Sequence, residues 1–455
     1  MLTLQCAIVL VHLNDATPTQ PRAFFDDLLL GDSQSLRQYW LDNSLGALDL
    51  TGEPSTGSRV FDWQPLWQDS LTFQREFRAS TDKSIYWQNI ALQHRDFQAF
   101  TQNAPFHHFP FDLVFLVIHG AGPFDVLTAV YSDYVKLLLP WPPTPGTPSI
   151  EPRHPYLLPL DAAGIPDSTG LTYLARQIGH YLNLPLSRDN SEHEHPAAPS
   201  SHGAFNDFYD MMSSDLVTFQ YNSPRYGRSG PGLCAIQRQN KHWLPPESVR
   251  RFSGGASFTT DICLTSLSWY ETTGRLQSPA TPVPVLMVNI GDQFAIEFRT
   301  REGWDAGMST AQTILIHQML RSQDPAGALI YQPILMKSSP GSGFGGDQRS
   351  ILHEWALDQE WDSRGSGNSA YPDLDSLLIG HTRIRMLRYE PDHHRACVRI
   401  AHSPPYFPLH IRFLEELYRY QGCLLLVDGQ FTQFTPDDKV TTLARQLTAI
   451  EPTER

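Results

Sequence analysis

Cysteine is scarce in this chain. Its 455 residues hold five, at positions 6, 234, 263, 397 and 423, with no C-x-x-C pair among them. That excludes a cysteine-ligated zinc site. The odd, scattered set leaves at least one thiol unpaired and does not read as a disulfide scaffold. Long apolar runs are missing too, and nothing approaches the ~20 residues of a membrane-spanning helix. Positive charge is in deficit: 34 Lys and Arg stand against 48 Asp and Glu, for a net charge of −14. With no basic patch, neither nucleic acid nor an anionic membrane is expected as a partner. No G-x-S-x-G elbow, Gly-rich phosphate loop or internal repeat is present, so the common serine-hydrolase and nucleotide-binding devices have no footing. The apolar stretch from Cys6 to Val11 lacks a basic segment before it and a small-residue cleavage site after it. It reads as a first β-strand ending at Asn14-Asp15, and a cytoplasmic location is expected over a secreted one.

What is present describes a folded protein. Hydrophobic residues make up 41% and charged residues 18%, and the length exceeds one ordinary core, which implies two or three domains. Proline density from Pro140 to Pro148 predicts an extended surface loop. Ser187 to Gly203 reads as a second, polar loop, and its His193-Glu194-His195 tract is a weak metal-binding candidate. From about residue 255 the pattern changes to short alternating strands, such as Pro282 to Val288 and Phe294 to Phe298, which predicts a β-sandwich. Arg383 to Tyr389 and Ala396 to Ile400 read as a hairpin pair, and Ser338 to Gly346 as a flexible loop before it. Leu409 to Tyr420 reads as a helix, Cys423 to Val427 as a strand and Lys439 to Ile450 as a closing helix. His353-Glu354-Trp355-Ala356-Leu357 begins like a zinc motif but has leucine where a second histidine belongs, and is read as ordinary helix. The expected layout is an α/β domain over 1–252, a β-sandwich-like domain over 253–403 and an α/β tail over 404–455.

One segment carries more information than the rest. Arg176 to Leu186 lies in register with the zinc signature H-E-x-x-H-x-x-G-x-x-H. His180 falls on the second histidine. Arg176 replaces the first, Gln177 the glutamate, Asn183 the glycine and Leu186 the third histidine. In a working site the first two histidines sit at i and i+4 on one helix face, and a catalytic zinc takes three protein ligands plus water. Arg176 brings a positive charge where the ion belongs, Leu186 has no lone pair, and Gln177 has no basicity for proton abstraction. Asn183 is the mild change, because asparagine tolerates the positive φ that a glycine would supply. Leu174, Ile178, Tyr181 and Leu182 give the segment helical spacing.

Other stretches follow in order. Tyr39-Trp40 with Asp42, Ser44 and Gly46 leads towards Val60 to Trp63, with Gly46 as the expected helix C-cap. Pro110 to Gly120 reads as a buried strand. Ala204 to Ser213 contains Met212, followed by Gly230 to Ala235 and by His242-Trp243-Leu244-Pro245. Phe294 to Arg299, Gly303 to Asp305 and Ile314 to His317 come last. In that order they resemble the immune-inhibitor-A and gametolysin type of metzincin-like zinc metalloprotease. The resemblance implies a Met-turn at Met212, a post-Met-turn helix, and a glycine where this chain has His242. It also implies strand motifs in the accessory region, including Gly303 to Asp305. The fold expected is α+β, a metzincin-like domain followed by a β-sandwich-like one.

The resulting expectation is a protease homologue without its chemistry: no catalytic residues, no cofactor, and a protein or peptide partner held in the old cleft. Arg176 is the candidate anchor for a partner's carboxylate. The alternative is an active zinc endopeptidase in which His180 joins a rearranged set drawn from His193, His195, His202 or Asp189.

Overall fold

The computed structural model describes residues 1–18, 20–51, 57–79, 83–102, 111–120, 133–138, 158–160, 170–189, 207–213, 218–273, 283–323, 327–336, 360–363, 381–404, 424–427 and 430–433. Two architectures follow one another, and the class is α+β.

Cys6–His12 and Leu113–His119 are apolar along nearly their whole length and buried to match. Such continuous runs, unlike alternating ones, suit strands covered on both faces. They pair in parallel, from Cys6 opposite Leu113 to His12 opposite His119. Arg59–Pro65 joins in parallel on the other side of Cys6–His12. Asp133–Leu138 and Leu158–Leu160 extend the sheet antiparallel. One face, with Ile8, Leu10, Phe115 and Val117, shares a core with helices Arg22–Leu30, Leu36–Asn43 and Gly170–Tyr181. The other, with Ala7, Val9, Leu116 and Ile118, is covered by Phe73, Ile90 and Phe97 from helices Ser70–Ala79, Lys83–Leu92 and Arg95–Gln102.

Helix Leu36–Asn43 is capped by Ser35, whose hydroxyl accepts from the Gln38 amide at 3.1 Å. Its far end departs from expectation by one residue: Leu45, not Gly46, takes the first left-handed position, with φ 54. The Leu45 amide bonds Asp42 O at 3.0 Å and the Gly46 amide bonds Leu41 O at 2.7 Å.

The second architecture is two sheets on one apolar core. Val249–Phe252, Met287–Ile290, Phe294–Thr300, Gln312–Gln323, Leu329–Leu335 and Arg188–Asp189 form a six-stranded sheet in that order. Phe258–Thr265, Arg395–Ser403, His381–Glu390 and Glu360–Asp362 form a four-stranded one. Val288, Ile296, Phe298 and Ile316 meet Leu264, Ile384, Val398 and Ile400 between them. The expected hairpin over 383–389 and 396–400 is there, longer at both ends.

Several expectations need correction. Ser187 is not part of a solvated loop: it is 0% exposed, and Arg188–Asp189 pair in parallel with Ile334–Leu335. Val249–Phe252, placed with the first domain, pairs with Met287–Ile290. Among the described residues the strand expected to end at Val288 begins at Met287, because Pro284 cannot donate to a ladder. Gly303–Asp305 is a 3₁₀ turn, not strand. Cys263 and Cys397 are joined in a disulfide, while Cys6 and Cys234 are buried free thiols. Of the tail, Leu424–Val427 is a strand as expected and pairs with Gln430–Gln433. The stretches 140–148, 190–203, 338–346, 353–357, 409–420 and 439–450 lie outside the described residues. Among the described residues no helix is long and apolar enough to cross a membrane.

Candidate functional site

Helix Gly170–Tyr181 buries Leu171, Leu174, Ala175 and Ile178 against the sheet. That leaves Arg176, Gln177 and His180 half-buried. Arg176 and His180 are one turn apart and share a face. The helix ends in a left-handed turn. Asn183 is left-handed, with φ 56. Its amide bonds His180 O at 3.0 Å, and the Leu184 amide bonds Gly179 O at 3.0 Å. These are the two hydrogen bonds of a Schellman motif with asparagine at the position glycine usually takes.

The turn through Met211 and Met212 lies directly against this helix. A Cβ placed on Gly179 would come within 2.4 Å of Met212 Sδ. Met211 and Met212 are fully buried. Their turn is built by two aspartates: the Tyr209 amide donates to Asp207 Oδ1 at 3.0 Å, and the Met212 amide to Asp210 Oδ1 at 2.7 Å. The chain beyond Asn183 runs back along it, with the Ser187 amide on Met212 O at 3.2 Å. Gln237 Nε2 donates to Pro185 O at 2.5 Å and Gln332 Nε2 to Leu186 O at 3.0 Å. Leu186, which the resemblance places at the third ligand, is therefore held by its backbone and has nothing to offer a metal.

The motif positions bring together one imidazole, one guanidinium and one isobutyl group. A catalytic zinc needs three electron-pair donors, so these residues do not fit it. Among the described residues the one trio of His, Cys, Asp or Glu with converging ligand atoms is Cys263, Glu390 and Cys397, and its sulfurs are bonded to each other. His193, His195, His202 and the side chain of Asp189 lie outside the described residues.

A second position repeats the pattern of Asn183. Helix Ala235–Asn240 ends at His242, with φ 56. The His242 amide bonds Gln239 O at 3.0 Å and the Trp243 amide bonds Arg238 O at 2.9 Å. This is the same motif, and histidine stands where the resemblance implies glycine. Exposed His242 gains nothing from its ring that would offset the left-handed backbone. His242→Gly is expected to stabilise the fold by about 0.5–1 kcal/mol, less than the full conformational cost because glycine also loosens the unfolded chain. Urea unfolding checks it; a loss of stability would refute the strain.

The most elaborate part of the region was not visible beforehand. The loop Gly230 to Ala235, between the methionine turn and the next helix, is clamped at almost every backbone group. Thr172 Oγ1 donates to Gly230 O at 2.5 Å and Tyr39 Oη to Pro231 O at 2.7 Å. The Gly232 amide donates to Asp305 Oδ1 at 3.1 Å, Leu233 to Asn43 Oδ1 at 2.6 Å and Cys234 to Asp210 Oδ2 at 3.2 Å. The Ala235 amide donates to Glu297 Oε2. Leu233 O accepts from Arg238 Nε at 3.0 Å and Arg299 Nη2 at 2.6 Å. Arg299 also bonds Glu297 at 2.9 Å and Asp305 at 2.6 Å, and Arg238 bonds Glu271. All six of these charged residues are essentially fully buried. Trp304 Nε1 donates to Asp42 Oδ2 at 3.0 Å, so the early helix is tied into the same cluster.

Burial sets the protonation here. It pushes Glu271 up to about 7 against the pull of Arg238, and Asp210, beside Asp207, up to about 6. Asp207 differs. Burial raises its carboxyl, but the His317 hydrogen bond at 3.1 Å, the imidazolium charge and the Ser187 hydroxyl at 2.5 Å outweigh it and hold it low. Burial also works against the His317 cation, and Asp207 holds it above the usual range.

Glu297 and Arg299 alternate with Ile296 and Phe298 on a strand buried at all seven positions. Its second face must therefore carry paired charge against another element. No family model, no curated protein and no solved structure matches the chain.

Proposed function

We propose that this chain is a metzincin-like metalloprotease homologue without protease chemistry, serving as a binding or structural module for a protein or peptide partner. The observation that carries the reading is geometric. At 183 and 242, the two positions where the resemblance implies glycine, asparagine and histidine adopt φ 56. A left-handed residue is a common helix ending, so what supports the reading is that both such endings fall on the glycine positions of the resemblance. Met212 against Gly179 supports the same reading. The ligand positions Arg176 and Leu186 and the base position Gln177 have meanwhile changed to residues that cannot serve. In this reading Arg176 offers a charge to a partner's carboxylate at the place of the ion, and no cofactor is required.

The test is proteolysis of denatured casein by the full chain, with added zinc and with a chelator. No cleavage above background is expected, with or without His180→Ala. Cleavage that needs zinc and is lost in His180→Ala would mean a rearranged active zinc endopeptidase, and the proposal would fail.

A further inference from the structure

The described cysteines fall into two contrasting pairs. Cys6 and Cys234 are buried and unbonded. Burial, reinforced by Asp112 beside the first and by Asp210 and Glu297 beside the second, pushes both thiols far up. They stay protonated and unreactive. Cys263 and Cys397 are directly opposed on the antiparallel strands Phe258–Thr265 and Arg395–Ser403, and are bonded to each other. Their neighbours Leu264 and Val398 face the sandwich core, so strand alternation turns both sulfurs to the outer face of the four-stranded sheet.

On that face the two sulfurs differ. Cys263 is partly exposed, whereas Cys397 is 1% exposed. A bulge after Met386 sets Arg388 opposite Cys397. Its Nη2 lies 4.0 Å from Cys263 Sγ, while Glu390 Oε1 lies 3.7 Å from Cys397 Sγ. Arg388 Nε and Glu390 Oε1, 2.6 Å apart, hold each other in place. The Glu390 oxygen lies within 4.8 Å of both sulfurs, but it is closer to the covered one, and the accessible sulfur alone also has the Arg388 guanidinium beside it. A cation favours the thiolate and a carboxylate disfavours it. The strands do not depend on the bond for their alignment, since the ladder pairs eight residues, from Phe258 opposite His402 to Thr265 opposite Arg395. Reduction leaves the two thiols side by side.

We propose that Cys263 and Cys397 form a reversible dithiol–disulfide couple open to low-molecular-weight thiols and disulfides, with Cys263 as the sulfur that meets the small molecule and Cys397 as the resolving thiol. In oxidation the Cys263 thiolate attacks one sulfur of glutathione disulfide. A Cys263–glutathione bond forms, and one glutathione thiolate leaves. The Cys397 thiolate then attacks Cys263 Sγ, the protein disulfide forms and the second glutathione leaves. Two electrons pass to the small disulfide, and the two protons given up by the cysteines end on the two glutathiones. Reduction by glutathione runs the same steps backwards, with attack on Cys263 Sγ.

The experiment uses the full chain without denaturant: reduction with dithiothreitol, timed alkylation with iodoacetamide, and site assignment by peptide mass. Cys263 should become reactive, at least about tenfold faster than covered Cys397, with Cys6 and Cys234 unlabelled. Glutathione disulfide should then restore the bond. In Cys397→Ser a glutathione adduct should accumulate on Cys263, and in Cys263→Ser none should accumulate on Cys397. A bond that yields only in denaturant, equal alkylation rates, or an adduct on Cys397 would overturn the proposal. The wild-type rates decide it even if a variant fails to fold.

Discussion

Replacing Arg299 with alanine is expected to cost about 3–5 kcal/mol of folding stability, read from the urea midpoint, because it breaks a buried ion cluster from one side. The guanidinium uses three nitrogens on Glu297, Asp305 and Leu233 O, all away from solvent. Its loss strands two buried carboxylates, which must be protonated or hydrated where water does not reach. Arg299→Lys should recover only part of the loss, since one ammonium cannot match a planar fork. The contrast is Arg399, which makes two hydrogen bonds to Asp261 on an exposed sheet face. Arg399→Ala should have little measurable effect, because exposed pairs are screened. Equal costs for the two substitutions would show that the buried cluster contributes no more to stability than an exposed pair.

The second large effect is expected at Gly230. Its φ is +81, and an added Cβ would lie 2.0 Å from Trp304 O. Gly230→Ala therefore combines a left-handed alanine, about 1–2 kcal/mol, with displacement of one backbone by another, a further 1–3 kcal/mol or so. The displaced 3₁₀ turn carries Trp304 and Asp305, which hold Asp42 and Arg299, so the damage spreads into the cluster. Gly327 separates the two contributions: its φ is +82, but nothing lies within 4 Å of the added Cβ. Gly327→Ala should show the conformational cost alone. Thermal or urea unfolding of the pair checks this, and similar losses at both sites would remove the steric part of the argument.

Sequence patterns reached as far as local physics reaches. The helix at 170–181, the turn at Asn183 and the burial of Met212 were legible, because periodicity, a left-handed-tolerant residue and an apolar turn act within a few positions. Phe294–Thr300 and the hairpin of His381–Glu390 with Arg395–Ser403 were legible from short strand-like runs. Arg188–Asp189 was not, because two residues carry no period, and their pairing with Ile334–Leu335 depends on a strand some 145 positions away. The Cys263–Cys397 bond spans 134 positions and rests on sheet register rather than spacing. The buried cluster was the largest omission. Asn43, Arg238, Glu271, Glu297, Arg299 and Asp305 each look like surface residues in their own neighbourhoods. Only the meeting of an early helix, a central loop and a late strand makes them interior.

If the proposed function holds, a metalloprotease-like scaffold has outlived its metal ligands, and zinc stoichiometry tests this. Metal content would be measured by plasma mass spectrometry on tag-free protein dialysed against zinc, for the natural chain and for the triple variant Arg176→His, Gln177→Glu, Leu186→His. The account predicts no stoichiometric zinc in the natural chain and about one ion per chain in the variant, because the helix, the Asn183 turn and the Met212 floor would place three imidazoles around one point. Stoichiometric zinc in the natural chain that disappears in His180→Ala would contradict the loss of the site. A folded triple variant that binds no zinc would contradict the survival of the scaffold.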